Sequence, residues 1–436
     1  MRIKNLLTNF FLLTCACLPS LSASAGCADT TWQVSSAPLP TAFSYELRVL
    51  PGRIVSQDDA TRSMLLSNQT YAVQAEAHYF PWARALRRHS ATDSLYLREM
   101  ADYNLPYFSL AFRYTRNHSV RLHRSVAEEG TFCRLNDFYT LSATFNRPLY
   151  RGKMVGAGYY LGTGIGYATS TYDPHQHFNN EFIGTHLNIF FTAGAYVRLM
   201  LSPEWSVKAG IDFSHHSNGA LKRPNKGVNV FSPFVSLVYH EGSTGRPGSV
   251  PYSQWKAVRF TPYWMLETTL GVGAKTLLEG WQNNQYKLKE TDKDYHSRHL
   301  ALYGAYTLQI DMLRRYAPRW ASGIGVNVFY GDYVSRVAYL DAQSGHADEP
   351  HSPWSVALAL KHQVYVGRFS ARMGVGYYLY RHMGCTANQL EKPYFERIGV
   401  HYELPNMNGI SLGFNVNAHA LKADFTGLEL AVPIKM

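Results

Sequence analysis

Almost nothing in this 436-residue sequence is long, apolar and uninterrupted. Beyond the first 25 residues the best candidate for a membrane helix, Leu187 to Leu201, carries Asn188, Thr192 and Arg198. A spanning helix needs roughly 20 predominantly apolar residues, so a bundle of transmembrane helices is excluded. Cysteine is also scarce. Cys15 and Cys17 lie in the N-terminal segment, and Cys27, Cys133 and Cys385 remain, an odd set that does not describe a disulfide framework. The histidines are scattered without metal-ligand spacing; the adjacent pair His215-His216 points its two side chains apart on a strand. No metal or cofactor is therefore expected. Charged residues are only 17% of the chain and no nucleic-acid motif accompanies them. The formal net charge of +11 reads as a solvated surface, or as a match for anionic lipopolysaccharide phosphates.

The N-terminus reads as a secretory signal over residues 1–25. Arg2 and Lys4 precede an apolar run from Leu6 to Leu21, and Ala23-Ser24-Ala25 supplies small residues at the cleavage positions. Pro19 and the shortness of the run argue against a permanent helix. Cys27 offers a lipidation site, although Ser24 stands where a larger aliphatic residue is usual. A secreted chain with abundant Tyr, Phe and Gly but no spanning helix has two solutions. One is a soluble β-protein; the other is a closed barrel whose backbone groups all pair within the membrane.

The hydrophobic pattern favours the barrel. Phe369, Ala371, Met373, Val375, Tyr377 and Leu379 alternate with Arg368, Ser370, Arg372, Gly374, Gly376 and Tyr378, the period of two expected of transmembrane strands. The stretches from Leu187 and from Ile410 repeat it, and one face of the stretch from Met154 is almost wholly glycine. Leu428, Leu430, Val432, Ile434 and Met436 form the outer row of a last strand. About sixteen such stretches can be counted, with 12–16 as the range. Their starts fall near 42, 68, 104, 134, 153, 184, 203, 227, 259, 296, 319, 353, 367, 393, 408 and 424. Short and long connections alternate, so odd strands run outward and even strands return. The links from Pro81 to Asn104 and from Glu241 to Ala257 break the rule. The second, with Gly245-Arg246-Pro247-Gly248, would suit a boundary between two eight-stranded halves. The expectation is nevertheless one continuous antiparallel barrel over 26–436, its part at 26–241 completed by further strands at 258–436.

One hairpin stands apart. Trp205, Val207, Ala209, Ile211 and Phe213 share the apolar face of a strand, and the same phase puts His215 and Ser217 on that face and His216 in the lumen. Asp212 falls on the lumen face as well. Across the turn, Asn229 shares a face with Phe231, Pro233, Val235, Leu237 and Tyr239. Polar side chains on a lipid-facing row are costly and call for a reason. Residues at i and i+2 have Cα atoms roughly 6.5 Å apart, close enough for an imidazole to act as base towards a serine hydroxyl. Asn229 would hold the other ring nitrogen through its carbonyl oxygen. Strand parity places the group near the outer leaflet, where lipopolysaccharide is found. An isolated His-x-Ser is a weak signal, and Asn, Gly and Pro are also ordinary turn residues.

The run His215-His216-Ser217-Asn218, a short spacer, then Pro224-Asn225-Lys226-Gly227-Val228-Asn229 resembles the outer-membrane lipid A 3-O-deacylases (PagL-like) and the related bacterial acyloxyacyl hydrolases. The resemblance extends upstream through Gly184-Thr185-His186-Leu187-Asn188, and Lys422-Ala423-Asp424-Phe425 looks like the end of the longer members. It implies a β-barrel esterase that removes an ester-linked acyl chain from lipid A, with Ser217 as nucleophile and His215 as base. Asn229 stands where the family has an acidic residue, a departure that puts the rate in question. Asn225 and the backbone N–H groups of Gly219 and Ala220 would stabilise the oxyanion. Lys222, Arg223 and Lys226 would contact lipid A phosphates, or else form a solvated loop. Arg84, Arg87 and Arg88 fall on the periplasmic side and read as a solvated loop. The rival readings are a porin-like channel, a structural barrel without turnover, and a phospholipid or other acyl ester as the substrate.

Overall fold

In the computed structural model, residues 42–56, 58–83, 97, 100–123, 131–241 and 260–436 are described. The expected signal segment, Cys27, the arginines at 84, 87 and 88 and the Gly245–Gly248 run lie outside them. Sixteen long strands form the walls. Those of the first half are β1 (Phe43–Ile54), β2 (Gln69–Tyr79), β3 (Tyr107–Arg116), β4 (Phe138–Arg151), β5 (Val155–Ala168), β6 (Leu187–Met200), β7 (Trp205–Ser217) and β8 (Val228–His240). Those of the second are β9 (Tyr263–Thr276), β10 (Leu302–Ala317), β11 (Trp320–Gly331), β12 (His351–Val366), β13 (Phe369–Met383), β14 (Tyr394–Glu403), β15 (Ser411–His419) and β16 (Lys422–Lys435). Within each half every strand pairs antiparallel with its sequence neighbours, and Leu65–Ser67, Arg121–Leu122 and Cys133–Arg134 form a separate small sheet.

Sixteen strands are present, but they do not make one barrel. β8 returns to β1, with Tyr45 opposite Tyr239 and Val49 opposite Val235. β9 closes on β16, with Leu266 opposite Ile434 and Leu270 opposite Leu430. The expectation of a single continuous barrel is corrected to two closed eight-stranded barrels. Each half pairs its last strand with its own first strand, which satisfies both edges, and each lumen neutralises its own charges. In the first barrel Arg48 bridges Glu46 and Glu76 at 2.9 and 2.7 Å, and Lys208 meets Glu46 at 2.5 Å. Arg113 grips Asp212 through two bonds of 2.9 Å. In the second, Arg372 pairs with Glu267, Lys361 with Asp311 and Arg397 with Glu429. An eight-stranded barrel is just wide enough for its side chains to fill it. The void among His78, Tyr107, Tyr196, Lys208 and His240 measures only about 30 Å³, room for a water or two.

Strand phase follows the sequence pattern. Tyr45, Leu47 and Val49 are exposed on the outer wall of β1, while Glu46 and Arg48 are buried in its lumen. Leu428, Leu430 and Ile434 repeat this on β16, against buried Glu429 and Ala431. The connections at one end are mostly long, including 169–186, 277–301 and 332–350; the hairpin 218–227 belongs to this end. Turns such as 152–154, 201–204 and 367–368 occupy the other. The long-loop end is the outer one for such barrels.

The barrels are tied at both ends. Outside, Tyr172 donates to Gln285 at 2.5 Å, Tyr286 to Glu181 at 2.6 Å, and Lys422 pairs with Asp58 at 3.0 Å. At the other end Arg319 donates to the Asp102 carbonyl and Tyr103 to that of Tyr365.

Two outcomes test this description. Reconstituted in planar bilayers, the protein should give no porin-like conductance steps; stable open-channel currents would contradict filled lumens. Asp212 also accepts from Tyr160 at 2.5 Å and Thr192 at 2.9 Å. Asp212→Ala leaves the Arg113 charge buried and unpaired, and should cost about 3–5 kcal/mol in urea unfolding of the micellar protein.

Candidate active site

β7 carries the group of interest to the outer rim. The strand's phase puts His215 and Ser217 on the outer side of the wall while His216 turns inward, although the burial pattern breaks at the end, where His215 is half-buried and Ser217 and Asn229 are buried. His216 is buried between Phe138 and Phe190 and bonds Thr140 at 3.0 Å. The register sets Asn229 of β8 directly opposite His215. His215 Nδ1 lies 2.6 Å from Asn229 Oδ1, and His215 Nε2 lies 2.9 Å from Ser217 Oγ. An amide oxygen only accepts, so the proton sits on Nδ1 and leaves Nε2 as the acceptor of the serine proton. The three expected side chains are therefore brought into one relay. Asp212 takes no part, being held in the lumen.

The turn beyond Ser217 is built from uncommon backbone. Gly219 has φ +63°, Ala220 +72° and Gly227 +73°. A left-handed conformation costs a non-glycine residue roughly 1–2 kcal/mol, so Ala220 must be held by its surroundings. The Asn218 side-chain amide spans the turn, donating to the Lys222 carbonyl at 2.8 Å, and the Asn218 backbone N–H donates to Asn225 Oδ1 at 3.1 Å. Asn225 thus offers its amide nitrogen as the remaining donor. Neither the Gly219 nor the Ala220 N–H has a hydrogen-bond acceptor among the described residues. On the return side, Lys226 and Gly227 donate their N–H groups to the Glu181 and Phe182 carbonyls at 3.1 and 2.9 Å. Gly227 also leaves space for the imidazole, since a Cβ there would lie 2.7 Å from His215 Cε1.

The three basic residues do not converge. Lys222 is exposed. Lys226 sits 3.7 Å from the Glu181 carboxylate. Arg223 turns to the second barrel and donates to the carbonyls of Thr276 and Ala423, each at 3.3 Å. Thr276, Ala423 and Thr426, all from the second barrel, touch this hairpin and were not foreseen. The nearest signal was the Lys422-Ala423-Asp424-Phe425 run, which marks the segment without revealing what it contacts. Among the described residues three groups come close enough to suggest a metal; His346/Glu349/Cys385 is largely exposed, and the other two are Glu46/Glu76/His78 and Glu391/His419/Asp424. Protein cations already occupy both: Arg48 and Lys208 in the first, Lys275 and Arg381 in the second.

Fold and site together define an outer-membrane β-barrel with a hydrolase-like relay on its outer wall. Two PagL family models match the chain, one on each barrel. Residues 107–240 match the lipid A 3-O-deacylase (PagL) model, and residues 264–435 match the acyloxyacyl hydrolase C-terminal domain. The first match contains the hairpin and the second takes in essentially the whole second barrel. Among solved structures, Neisserial surface protein A is 12% identical, with 46% of this chain and 98% of that one covered and a TM-score of 0.27. The outer-membrane enzyme PagL is 14% identical, over 44% of this chain and 97% of that one, with a TM-score of 0.26. An outer-membrane channel of Pseudomonas putida F1 is 9% identical, over 93% and 100%, with a TM-score of 0.18. No individual curated protein matches the chain. The family-model matches, and not these distant likenesses, bear on the chemistry.

Gly227→Ala should displace the imidazole while leaving Ser217 in place. Labelling of Ser217 by a fluorophosphonate is then expected to slow about 10²-fold, the scale of a misplacement near 1 Å; unchanged labelling would separate His215 from serine activation.

Proposed function

We propose that this protein is an outer-membrane serine esterase that removes an ester-linked acyl chain from lipid A of lipopolysaccharide. The observation that carries the reading is the relay of Ser217, His215 and Asn229 on the lipid-facing wall, at the end with the long loops. The two family-model matches support it, since both models describe hydrolases and one is named for lipid A.

The geometry supplies each step. His215 Nε2 removes the proton as Ser217 Oγ attacks the ester carbonyl. The Gly219 and Ala220 N–H groups and the Asn225 amide receive the charge that develops on the carbonyl oxygen. Collapse passes the proton to the departing sugar hydroxyl and leaves an acyl-Ser217. Water, activated by the same imidazole, then releases the fatty acid. The chemistry requires no metal or cofactor. Asn229 keeps the correct tautomer through its oxygen but adds no negative charge opposite the imidazolium. Lys222 and Lys226 remain as contacts for lipid A phosphates. Arg223 is assigned to holding the loop rather than to the substrate.

The channel reading loses support from the ion pairs that fill both lumens. A structural barrel without turnover is addressed by experiment. Lipid A from cells making this protein should lose the mass of one hydroxyacyl chain, and lipid A from cells making Ser217→Ala should not. Unchanged lipid A in both, with the barrel folded in the membrane, would remove lipid A as the substrate. Asn229→Asp tests the third member. A carboxylate both orients the ring and stabilises the imidazolium, so the rate should rise roughly 10-fold or more, given that the reverse change in a serine protease costs about 10⁴. An unaltered or lower rate would exclude Asn229 from the relay.

A further inference from the structure

On the outer row of β16, Leu428, Leu430, Val432 and Ile434 face outward, but Thr426 in the same phase is only 5% exposed. A threonine is out of place on such a row unless its hydroxyl is used. Its Oγ1 donates to the Gly219 carbonyl of the first barrel at 2.7 Å. The next two carbonyls of the turn are also taken from the second barrel. The Thr276 N–H donates to Ala220 O at 2.8 Å, and Thr276 Oγ1 donates to Leu221 O at 2.7 Å. Three consecutive peptide units of the turn are thus fixed by two threonines that lie 55 and 207 residues away in sequence. Gly219 is seated so closely that a Cβ there would overlap Thr426 Oγ1.

The carbonyl of Gly219 and the N–H of Ala220 belong to one planar trans peptide unit and point in opposite directions. Binding that carbonyl on the side of the second barrel directs the Ala220 N–H back towards the first, which carries Ser217. A hydrogen bond to the carbonyl also polarises the unit and strengthens its N–H as a donor. We propose that the second barrel is part of the hydrolytic machinery, with Thr426, supported by Thr276, acting as a positioning residue that aims and polarises the Ala220 N–H at the oxyanion. The proposal rests on the reading of Ser217 as the nucleophile. It gives the second barrel a role in the reaction that its filled lumen would not provide. It also accounts for the left-handed Ala220, whose conformation is retained because its carbonyl and its neighbours' are bound from outside.

The test measures hydroxyacyl release from lipopolysaccharide in detergent micelles by the full chain. Thr426→Val preserves the shape and removes the donor. kcat should fall about 10-fold, less than the roughly 10²–10³ that follows loss of an oxyanion donor itself, with KM unchanged. Fluorophosphonate labelling of Ser217 should slow in parallel, and Thr426→Ser should restore both. If the valine variant does not fold, Thr426→Ala, which removes the same donor to Gly219 O with less bulk, carries the same test. An inactive Ser217→Ala beside an undiminished Thr426→Val would overturn the positioning role and leave the esterase reading standing. Equal losses in the Val and Ser variants would overturn it too, because shape rather than the hydrogen bond would then be at stake. Full activity in Ser217→Ala would overturn both.

Discussion

Everything in this molecule depends on the pairing of backbone N–H and C=O groups where no water is available to satisfy them. A strand edge left open in hydrocarbon costs several kcal/mol per unpaired group, so each set of strands must return to its own start. This chain does so twice, through β1 with β8 and through β9 with β16. Closure at eight strands leaves a lumen that must be filled, and the buried Arg, Lys, Glu and Asp side chains fill it as mutually neutralising groups. Closure also fixes the phase of every wall strand. A one-residue slip would carry His216 to the lipid and His215 to the lumen, and the barrel hydrogen-bond ladder prevents it.

That rigidity determines what the hairpin can do. His215, Ser217 and Asn229 stand on neighbouring strands in fixed register, so the relay requires no induced arrangement of its own. The choice of asparagine fits this location. A carboxylate on a lipid-facing row would have to be desolvated, whereas an amide is neutral and costs less to bury. The same neutrality weakens stabilisation of the imidazolium during attack. The site therefore combines a relay that is inexpensive to build with a neighbouring turn, 218–222, whose carbonyls are held from the second barrel.

Much of this was legible in the residues. Period-two alternation located all sixteen strands, and the furthest start, placed near 296, is displaced only to Leu302, where polar loop residues had extended the pattern. His215, Ser217 and Asn229 were legible because parity on a strand assigns faces without ambiguity. The number of barrels was not. Alternation states which way a side chain points but not which edge a strand will join, and β8 has the same pattern whether it meets β1 or β9. The roles of Arg223, Thr276 and Thr426 were hidden for a related reason. Their partners are backbone carbonyls distant in sequence, and a carbonyl has no residue type to recognise.

The relay lies on the outside of a wall, and this changes how a reactant arrives. A site inside a pore samples solutes delivered through three-dimensional volume. A nucleophile on the outer surface of a barrel samples only neighbours moving within the plane of one leaflet. Under the proposed function its supply is measured in molecules per unit area and depends on lateral mobility and crowding, so that stiffening or diluting the leaflet would alter turnover without any change in the protein.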